Sequence, residues 1–266
     1  MDVKSLGYRT DLMLLRLCGS QLEEQSGHFT IRTPRNPGFW WGNFLLYKSL
    51  PASGEFERWQ AEFRAAFPAA KHMTFGVDCT DGQLGEVAAE IEAAGFELAP
   101  NTVMTAGRAD LRPPARPNMR GEYRKLTRDD DWAQALQLRL ACNDTVKAQS
   151  YQIHAEERMR EARRMAEAGH GGWFGAFVNG QMEAGMGLYT DGCGVARFQS
   201  VETRPEARGQ GLASNLVHFA AQYGFEQMNA QTLVMVADPD YLAIRLYRAV
   251  GFKDTETQLG FEKRPA

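Results

Sequence analysis

Apolar residues recur at helical spacing in the last third of the chain. Between Leu212 and Gly224 they follow one another at steps of three and four, which predicts an amphipathic helix that ends at Gly224. The continuous apolar run Thr232 to Ala237 is typical of a buried strand. A second apolar stripe then predicts another helix before Gly251; its members are Ala243, Leu246, Tyr247 and Val250.

Turn signals upstream of these elements predict a set of antiparallel strands. Asn179 and Gly180 both tolerate positive φ, so they predict a two-residue hairpin turn, and a second turn lies at 191–194. A further strand is predicted to begin at Glu122, followed by a helix over 129–143 with acidic residues at its favoured N-terminal end. Another helix is predicted from about Val146 to Gly169.

The first part of the chain repeats this order. A strand at 40–50, a helix at 54–67, a strand at 71–79 and a helix over 83–98 are predicted, and the last helix exits through Ala-Gly-Phe, as the helix before Phe252 exits through Val-Gly-Phe. We interpret the repeat as a duplication whose first copy lacks the glycine-rich loop described below. The alternative is that this ending is simply common among helices.

Proline-rich, polar sequence separates the two copies, and we predict a boundary near Asn118 with domains at 1–117 and 118–266. Arginines recur every fourth residue from Arg108 to Arg124, but the prolines between them prevent a continuous helix that would align the charges. We therefore interpret the segment as a solvated linker in preference to a phosphate-binding patch.

Composition narrows the class of protein. The chain has 266 residues, 44% of them hydrophobic and 24% charged, and a net charge of −3, so nothing favours a nucleic-acid or membrane partner. No apolar run approaches the ~20 residues that span a bilayer, and no secretory signal is convincing. Four scattered cysteines predict neither disulfides nor a metal site. We expect a cytoplasmic protein without a metal.

The segment between the strand ending near Val201 and the helix beginning near Leu212 contains Arg208, Gly209 and Gly211. Glycines at a helix N-terminus let an anion approach the unpaired backbone N–H groups, so the segment predicts a phosphate-binding loop. A nucleoside triphosphate loop is excluded because the lysine and hydroxyl of that motif are absent. A dinucleotide fingerprint is a weak match, because Ser214 stands where a third glycine is usual.

Two motifs resemble the GNAT superfamily of acyl-CoA-dependent N-acyltransferases. The pyrophosphate motif R/Q-x-x-G-x-G/A is matched at Arg208, Gly211 and Ala213. A second signature, N-x-x-A-x-x-L-Y-x-x-x-G-F, is matched from Ala243 to Phe252, except that Asp240 stands where asparagine is usual. The resemblance covers about 122–261 and, weakly, 8–98. It implies an α/β (α+β) fold of two tandem GNAT-like domains, each a mixed, mostly antiparallel sheet flanked by helices, the first degenerate.

The resemblance also implies a site for acetyl-CoA. The pyrophosphate would be held by Arg208, Gly209, Gln210, Gly211, Leu212 and Ala213. Backbone N–H groups near Ser200 and Val201 would polarise the thioester carbonyl, in a splay between the family's fourth and fifth strands. Asp240 is a doubtful pantetheine ligand because a carboxylate cannot donate as an amide does.

By the same resemblance, Tyr247 is the candidate proton donor to the leaving thiolate; alternatively it is a core tyrosine. The implied activity is transfer of an acetyl group to a primary amine, of a small molecule or a peptide, by direct attack. The amine must lose a proton, and Glu202, Glu183 and His218 are candidates among which the sequence does not choose. A sensor or pseudoenzyme that binds acyl-CoA without transfer is the alternative function. Oligomeric state is not predicted.

Overall fold

The structure is a computed structural model, and it describes residues 2–143 and 149–265. The helices are α1 Leu6–Leu17, α2 Phe56–Ala66, α3 Ala88–Ala93, α4 Asp129–Ala141, α5 Gln149–Glu167, α6 Leu212–Gln227 and α7 Ala243–Ala249. The strands are β1 Gln21–Glu24, β2 His28–Arg32, β3 Phe44–Tyr47, β4 Met73–Val77, β5 Glu97–Leu98, β6 Asn101–Ala106, β7 Glu122–Lys125, β8 Gly171–Val178, β9 Gln181–Thr190, β10 Val195–Thr203, β11 Thr232–Ala237 and β12 Lys253–Lys263. Among the described helices, none is long and apolar enough to cross a membrane.

The described residues form two compact units. The first comprises 2–103, 236–239 and 255–265, and the second comprises 104–235 and 240–254. These units do not follow the predicted division at residue 118. The difference arises because β12, which follows α7 in the chain, pairs antiparallel with β4 from Leu259 opposite Val77 to Lys263 opposite Met73. The end of the chain is therefore part of the sheet of the first unit.

In the first unit β1, β2 and β3 are antiparallel neighbours and β3 pairs parallel with β4. Aromatic side chains of α2 pack on one face of this sheet: Phe56, Trp59 and Phe63 share a core with Phe75 and Phe261 of the strands and with Phe96, which precedes β5. Helix α1 covers a second cluster around Phe29 and Phe44. Each of these fully buried rings contributes roughly 1.5–3 kcal/mol through removal of apolar surface from water.

In the second unit β7, β8, β9 and β10 are antiparallel, and β10 pairs parallel with β11. Asn179 and Gly180 both have positive φ, of 52° and 80°, which confirms the predicted two-residue turn between β8 and β9. The order strand, helix, parallel strand, helix occurs in both units, as β3-α2-β4-α3 and as β10-α6-β11-α7. The repeat predicted from the sequence is therefore present in the structure.

Several predicted elements differ in detail. The helix predicted over 83–98 is a 3-10 turn at Gly85–Val87 followed by α3, and its predicted end contains β5. The predicted strand at 40–50 begins only at Phe44, because Trp40–Gly42 forms a 3-10 turn whose Asn43 side chain donates to the carbonyls of Asn36 and Phe39. Helix α6 continues past Gly224, where the missing side chain lets Leu188 and Leu233 approach within 3.0 Å of the Cβ position. The helix predicted from Val146 begins in the described residues at Gln149, and Val146 lies outside them.

The strand-to-helix turn of the first unit is closed by a carboxylate. Glu90 of α3 accepts hydrogen bonds from Gly54 N at 2.9 Å and from Phe56 N, the first residue of α2, at 3.1 Å. These are the amides that an external anion would use at a helix N-terminus. An internal anion thus occupies the position that corresponds to the loop before α6.

Candidate functional site

The loop before α6 is shaped by two glycines with positive φ. Strand β10 leads through a 3-10 turn at Pro205–Ala207 to Arg208; Gly209 has φ +75° and Gly211, the residue that caps α6, has φ +81°. A residue with a side chain would pay roughly 1–2 kcal/mol for this left-handed conformation. The chain can therefore turn sharply into the helix and present its first N–H groups at one place.

Hydrogen bonds to the loop carbonyls fix the direction of these N–H groups. Asn118 Nδ2 donates to Gln210 O at 2.8 Å, and Asn215 Nδ2 donates to Gly211 O at 2.8 Å and to Arg116 O at 3.0 Å. Because C=O and N–H point in opposite directions across a trans peptide, the N–H groups of the following residues point away from the two asparagines. The loop therefore offers amide donors on one side and has its carbonyls bound on the other.

A cavity of about 630 Å³ adjoins this loop. Among the predicted site residues, the lining includes Val201, Arg208, Gly209, Gly211, Leu212, Ala213 and Tyr247. Ser200, Gln210 and Asp240 are not part of the lining. The structure thus brings together most of the residues that the two motifs indicated, from both sides of the same cavity.

The proline-rich segment is also part of the cavity wall. Pro114, Ala115 and Arg116 line it, and Arg112 N donates to Val250 O at 3.0 Å. The segment is largely exposed to solvent, as predicted, but it also forms part of the cavity wall, which the interpretation as a linker did not include. Its prolines keep the chain extended beside α7 and the loop. Since proline has no N–H, the segment presents carbonyl acceptors and leaves few backbone donors that need a partner.

The Arg208 side chain does not extend along the loop. Its Nε donates to Thr203 O at 3.2 Å. Burial raises the pKa of the Cys142 thiol and the Glu202 charge raises it further, while the nearby Arg208 guanidinium lowers it. The side chain of this motif arginine is thus bound to the end of β10, at the edge of the cavity that it lines.

Strands β10 and β11 pair only over their first residues, from Val195 opposite Thr232 to Arg197 opposite Val234. On its other side β10 skips in register with β9 between Gln199 and Glu202, where Ser200 has φ +49°. This bulge takes Ser200 and Val201 out of the ladder. The predicted splay is the part of β10 beyond Arg197 that no longer pairs with β11, and there Val201 lines the cavity.

Tyr247 lies on α7 with 5% of its surface exposed. Burial, and to a smaller extent the neighbouring Tyr241 phenol, raise the pKa of Tyr247 well above its ordinary value, so the phenol is protonated at neutral pH and can donate. Helix α7 begins at Ala243 with Leu242 at the cap position and without a side-chain cap. Asp240 therefore lies before the helix and does not cap it.

Glu202 lies on the opposite face of β10 from Val201 and Thr203, with 18% of its side chain exposed. Its Oε1 is 3.0 Å from Arg139 Nη1 of α4, and its Oε2 is buried without a hydrogen-bond partner among the described residues. Burial raises the pKa of Glu202, and the Arg139 charge lowers it in part. The carboxylate has one bound and one unbound oxygen in a poorly hydrated place.

The other two candidate bases are less suitable. Glu183 forms an ion pair with Arg204, with 3.2 Å between Oε2 and Nε. Burial lowers the pKa of His218, which lies within α6. Within the described part of the chain, no three histidine, cysteine or acidic side chains group as metal ligands would.

Sequence reasoning missed Arg116, Asn118, Arg139 and Asn215. An asparagine in the first turn of a helix after a glycine-rich loop is a usable signal for Asn215. Nothing in the local sequence indicated Arg139, because its partner Glu202 is 63 residues away along the chain.

One family model matches the part of the chain that contains this site. Residues 132–252 match the model of the Acetyltransferase (GNAT) family. This part of the chain, which holds the loop, the splayed strands and Tyr247, is similar to that family. No curated protein sequence gave a match.

Solved structures share the fold. A conserved protein of unknown function from Staphylococcus epidermidis is 14% identical, with a TM-score of 0.76 over 92% of this chain and 93% of that one. A GCN5-related N-acetyltransferase from Kribbella flavida is 15% identical, with a TM-score of 0.67 over 97% and 96%. A tandem GNAT protein from the clavulanic acid biosynthesis pathway is 14% identical, with a TM-score of 0.56 over 93% and 84%. The predicted tandem GNAT-like fold is confirmed.

Proposed function

We propose that the protein transfers the acetyl group of acetyl-CoA to a primary amine. The observation that carries the proposal is the continuity between the amide-donating loop at α6, the cavity, the splay of β10 and the phenol of Tyr247. The match of residues 132–252 to the GNAT family supports acyl transfer; the acetyl group, the primary amine and the roles below are part of the proposal.

The residues present fit a coenzyme A diphosphate. No atom lies within 4 Å of the position that a Cβ of residue 209 would occupy, so the space beside the loop amides is open. Glycine, which has no side chain, keeps this space free for a ligand. The N–H groups after Gln210 and Gly211 point away from the asparagines that bind the carbonyls. Together with the helix dipole they suit the negative charge of a diphosphate.

When bound, acetyl-CoA supplies a thioester whose carbonyl carbon accepts the amine. The N–H of Val201, released from the β9 ladder by the bulge, would donate to the carbonyl oxygen, a type of contact that can contribute about 3 kcal/mol. As the C–N bond forms and the C–S bond breaks, the Tyr247 phenol would give its proton to the leaving sulfur. The proton of the amine would pass to the unbound Oε2 of Glu202.

Glu202 suits this role because its raised pKa makes its carboxylate a stronger base than an exposed one. It lies on the α4 side of β10, whereas Val201 lies on the cavity side. The amine would therefore approach from the side of α4, and the thioester from the side of α7.

The function is tested by release of free thiol from acetyl-CoA over a panel of amines, with mass spectrometry of the products. We expect N-acetylated product from at least one amine. Binding of acetyl-CoA without turnover over broad classes of amine and peptide would favour the sensor, an alternative to which the aspartate at 240 gives some support.

Tyr247→Phe is expected to lower kcat about tenfold or more, because the thiolate would leave without its proton donor. The matched control is Tyr223→Phe, whose hydroxyl accepts from Lys125 Nζ at 3.4 Å outside the cavity lining. Unchanged turnover of a folded Tyr247→Phe protein would remove this phenol from the mechanism.

Glu202→Gln is expected to lower kcat/KM about a hundredfold or more and to remove the acid limb of its pH profile that the carboxyl group sets. Because a base must be deprotonated, the wild-type rate falls as pH drops through the raised pKa of Glu202. Glu206→Gln changes an exposed carboxylate four residues away and serves as control. A variant that keeps the same limb would exclude Glu202 as the base.

A further inference from the structure

The motif arginine lines the diphosphate end of the cavity, but a hydrogen bond to the end of β10 restrains its side chain. Arg208 Nε donates to Thr203 O at 3.2 Å, and the charge of its guanidinium acts on the nearby Cys142 thiol, whose pKa it lowers. The loop itself offers amides, which are dipoles with no net charge. A ligand with several phosphate charges would be bound more tightly if another cation faced the same opening.

Arg116 is the other cation of the cavity lining. Its side chain is exposed, and among the described residues no carboxylate lies within ion-pair distance of it. Its position beside the loop is close: a Cβ at Gly211 would lie 3.0 Å from Arg116 O. An arginine with a free fork next to a helix N-terminus has the chemistry that recognises phosphoryl oxygens.

The segment around Arg116 is held at three points, one of them the Arg116 carbonyl. Its carbonyl accepts from Asn215 Nδ2 at 3.0 Å, Arg112 N donates to Val250 O at 3.0 Å, and Asn118 Nδ2 donates to Gln210 O at 2.8 Å. Prolines at 113, 114 and 117 restrict the chain between these anchors. The site is thus preorganised at the backbone, and only the arginine side chain has to be ordered when a ligand binds.

We propose that Arg116 is a phosphate-binding residue of the cofactor site. The segment 112–118 then forms one wall of that site and is not merely a connection between domains. The inference rests on the proposed function, because the ligand it names is coenzyme A. Coenzyme A carries phosphoryl oxygens in its diphosphate and in its 3′-phosphate, and the chemistry of the guanidinium suits either.

The test is isothermal titration of the full-length protein and its variants with coenzyme A and with dephospho-coenzyme A, which lacks the 3′-phosphate. Arg116→Gln is expected to weaken coenzyme A binding about tenfold, as for loss of one charge-assisted contact, and to reduce its dependence on salt. Arg120→Gln, an exposed arginine of the same stretch outside the cavity lining, is the control and should bind within twofold of wild type.

The two ligands separate the two phosphates. A loss confined to coenzyme A assigns Arg116 to the 3′-phosphate, and an equal loss with both ligands assigns it to the diphosphate. Arg116→Gln binding that equals wild type overturns the inference and leaves the proposed function intact. Absence of coenzyme A binding by the wild-type protein overturns both. Because the tethers use the backbone of Arg116, the variant should unfold at the wild-type temperature, which a thermal melt checks.

Discussion

Alanine at Gly211 and alanine at Gly209 should destabilise the second unit to different extents. Both glycines have positive φ, of 81° and 75°, so each alanine incurs the same left-handed penalty of roughly 1 kcal/mol. Alanine also restricts the unfolded chain equally at the two positions. Both effects therefore cancel when the free energies of unfolding of the two variants are compared. The remaining difference reports the contacts of the new methyl group.

The two methyl groups meet different surroundings. At Gly209 nothing lies within 4 Å, whereas at Gly211 the methyl lies 3.0 Å from Arg116 O and 3.6 Å from Asn215 Nδ2. The carbonyl must move by a few tenths of an ångström, and it is tethered by Asn215. By analogy with other overpacked sites, we expect Gly211→Ala to be less stable than Gly209→Ala by about 1 kcal/mol.

The assay is urea unfolding of both variants, followed by circular dichroism, with the free energy of unfolding compared at equal slope. Coenzyme A titrations of the same proteins give an independent result: the methyl of Gly209→Ala enters the open space beside the loop amides and should weaken binding with little further effect on stability. Equal stability of the two variants, or a less stable Gly209→Ala protein, would refute the tethering of Arg116 to the loop.

Two further predictions concern buried and internal carboxylates. Asp131 is fully buried and accepts hydrogen bonds from both terminal nitrogens of Arg124, at 2.7 and 2.8 Å. These bonds hold the pKa of Asp131 far below its ordinary value of 3.8. Asp131→Asn should lower the free energy of unfolding by about 3–5 kcal/mol at neutral pH, as measured by urea titration. Because the pKa of Asp131 is depressed in the folded state, its stabilisation is complete above the unfolded-state pKa. The stability difference between variant and wild type should therefore shrink as pH falls below about 4. A difference that does not change with pH would contradict this explanation. Glu90→Gln should destabilise the first unit by about 1 kcal/mol, because the charged acceptor of the Gly54 and Phe56 amides becomes neutral. A thermal melt unchanged from wild type would show that these hydrogen bonds do not stabilise the fold.

The sequence was most informative where short-range constraints act. The glycines at 209 and 211 need positive φ, the asparagine and glycine at 179 and 180 form a tight turn, and the apolar stripe of α7 places Tyr247 on its inner side. Each of these is decided by the backbone or by neighbours one turn away. The succession of strands and helices along the chain could be predicted for the same reason.

The remaining features depend on residues far apart in the chain. The side chain of Arg208 could have followed its own loop, and only the fold places Cys142 within its reach. Prolines and arginines at 112–117 are typical of a linker, and only the docking of Arg112 on Val250 makes the segment a wall. Gly224 was interpreted as a helix end because local sequence does not show that Leu188 and Leu233 pack against it.

The position of β12 has a consequence for how the two copies depend on each other. A polypeptide that stopped at residue 117 would leave the edge of β4 with unpaired peptide groups, which is a template for aggregation. One that started at 118 would carry residues 255–263 without the neighbours that bury Leu259 and Phe261. Neither copy could therefore be expressed alone, cut at residue 118, without exposing a strand edge or apolar side chains that are covered in the full chain.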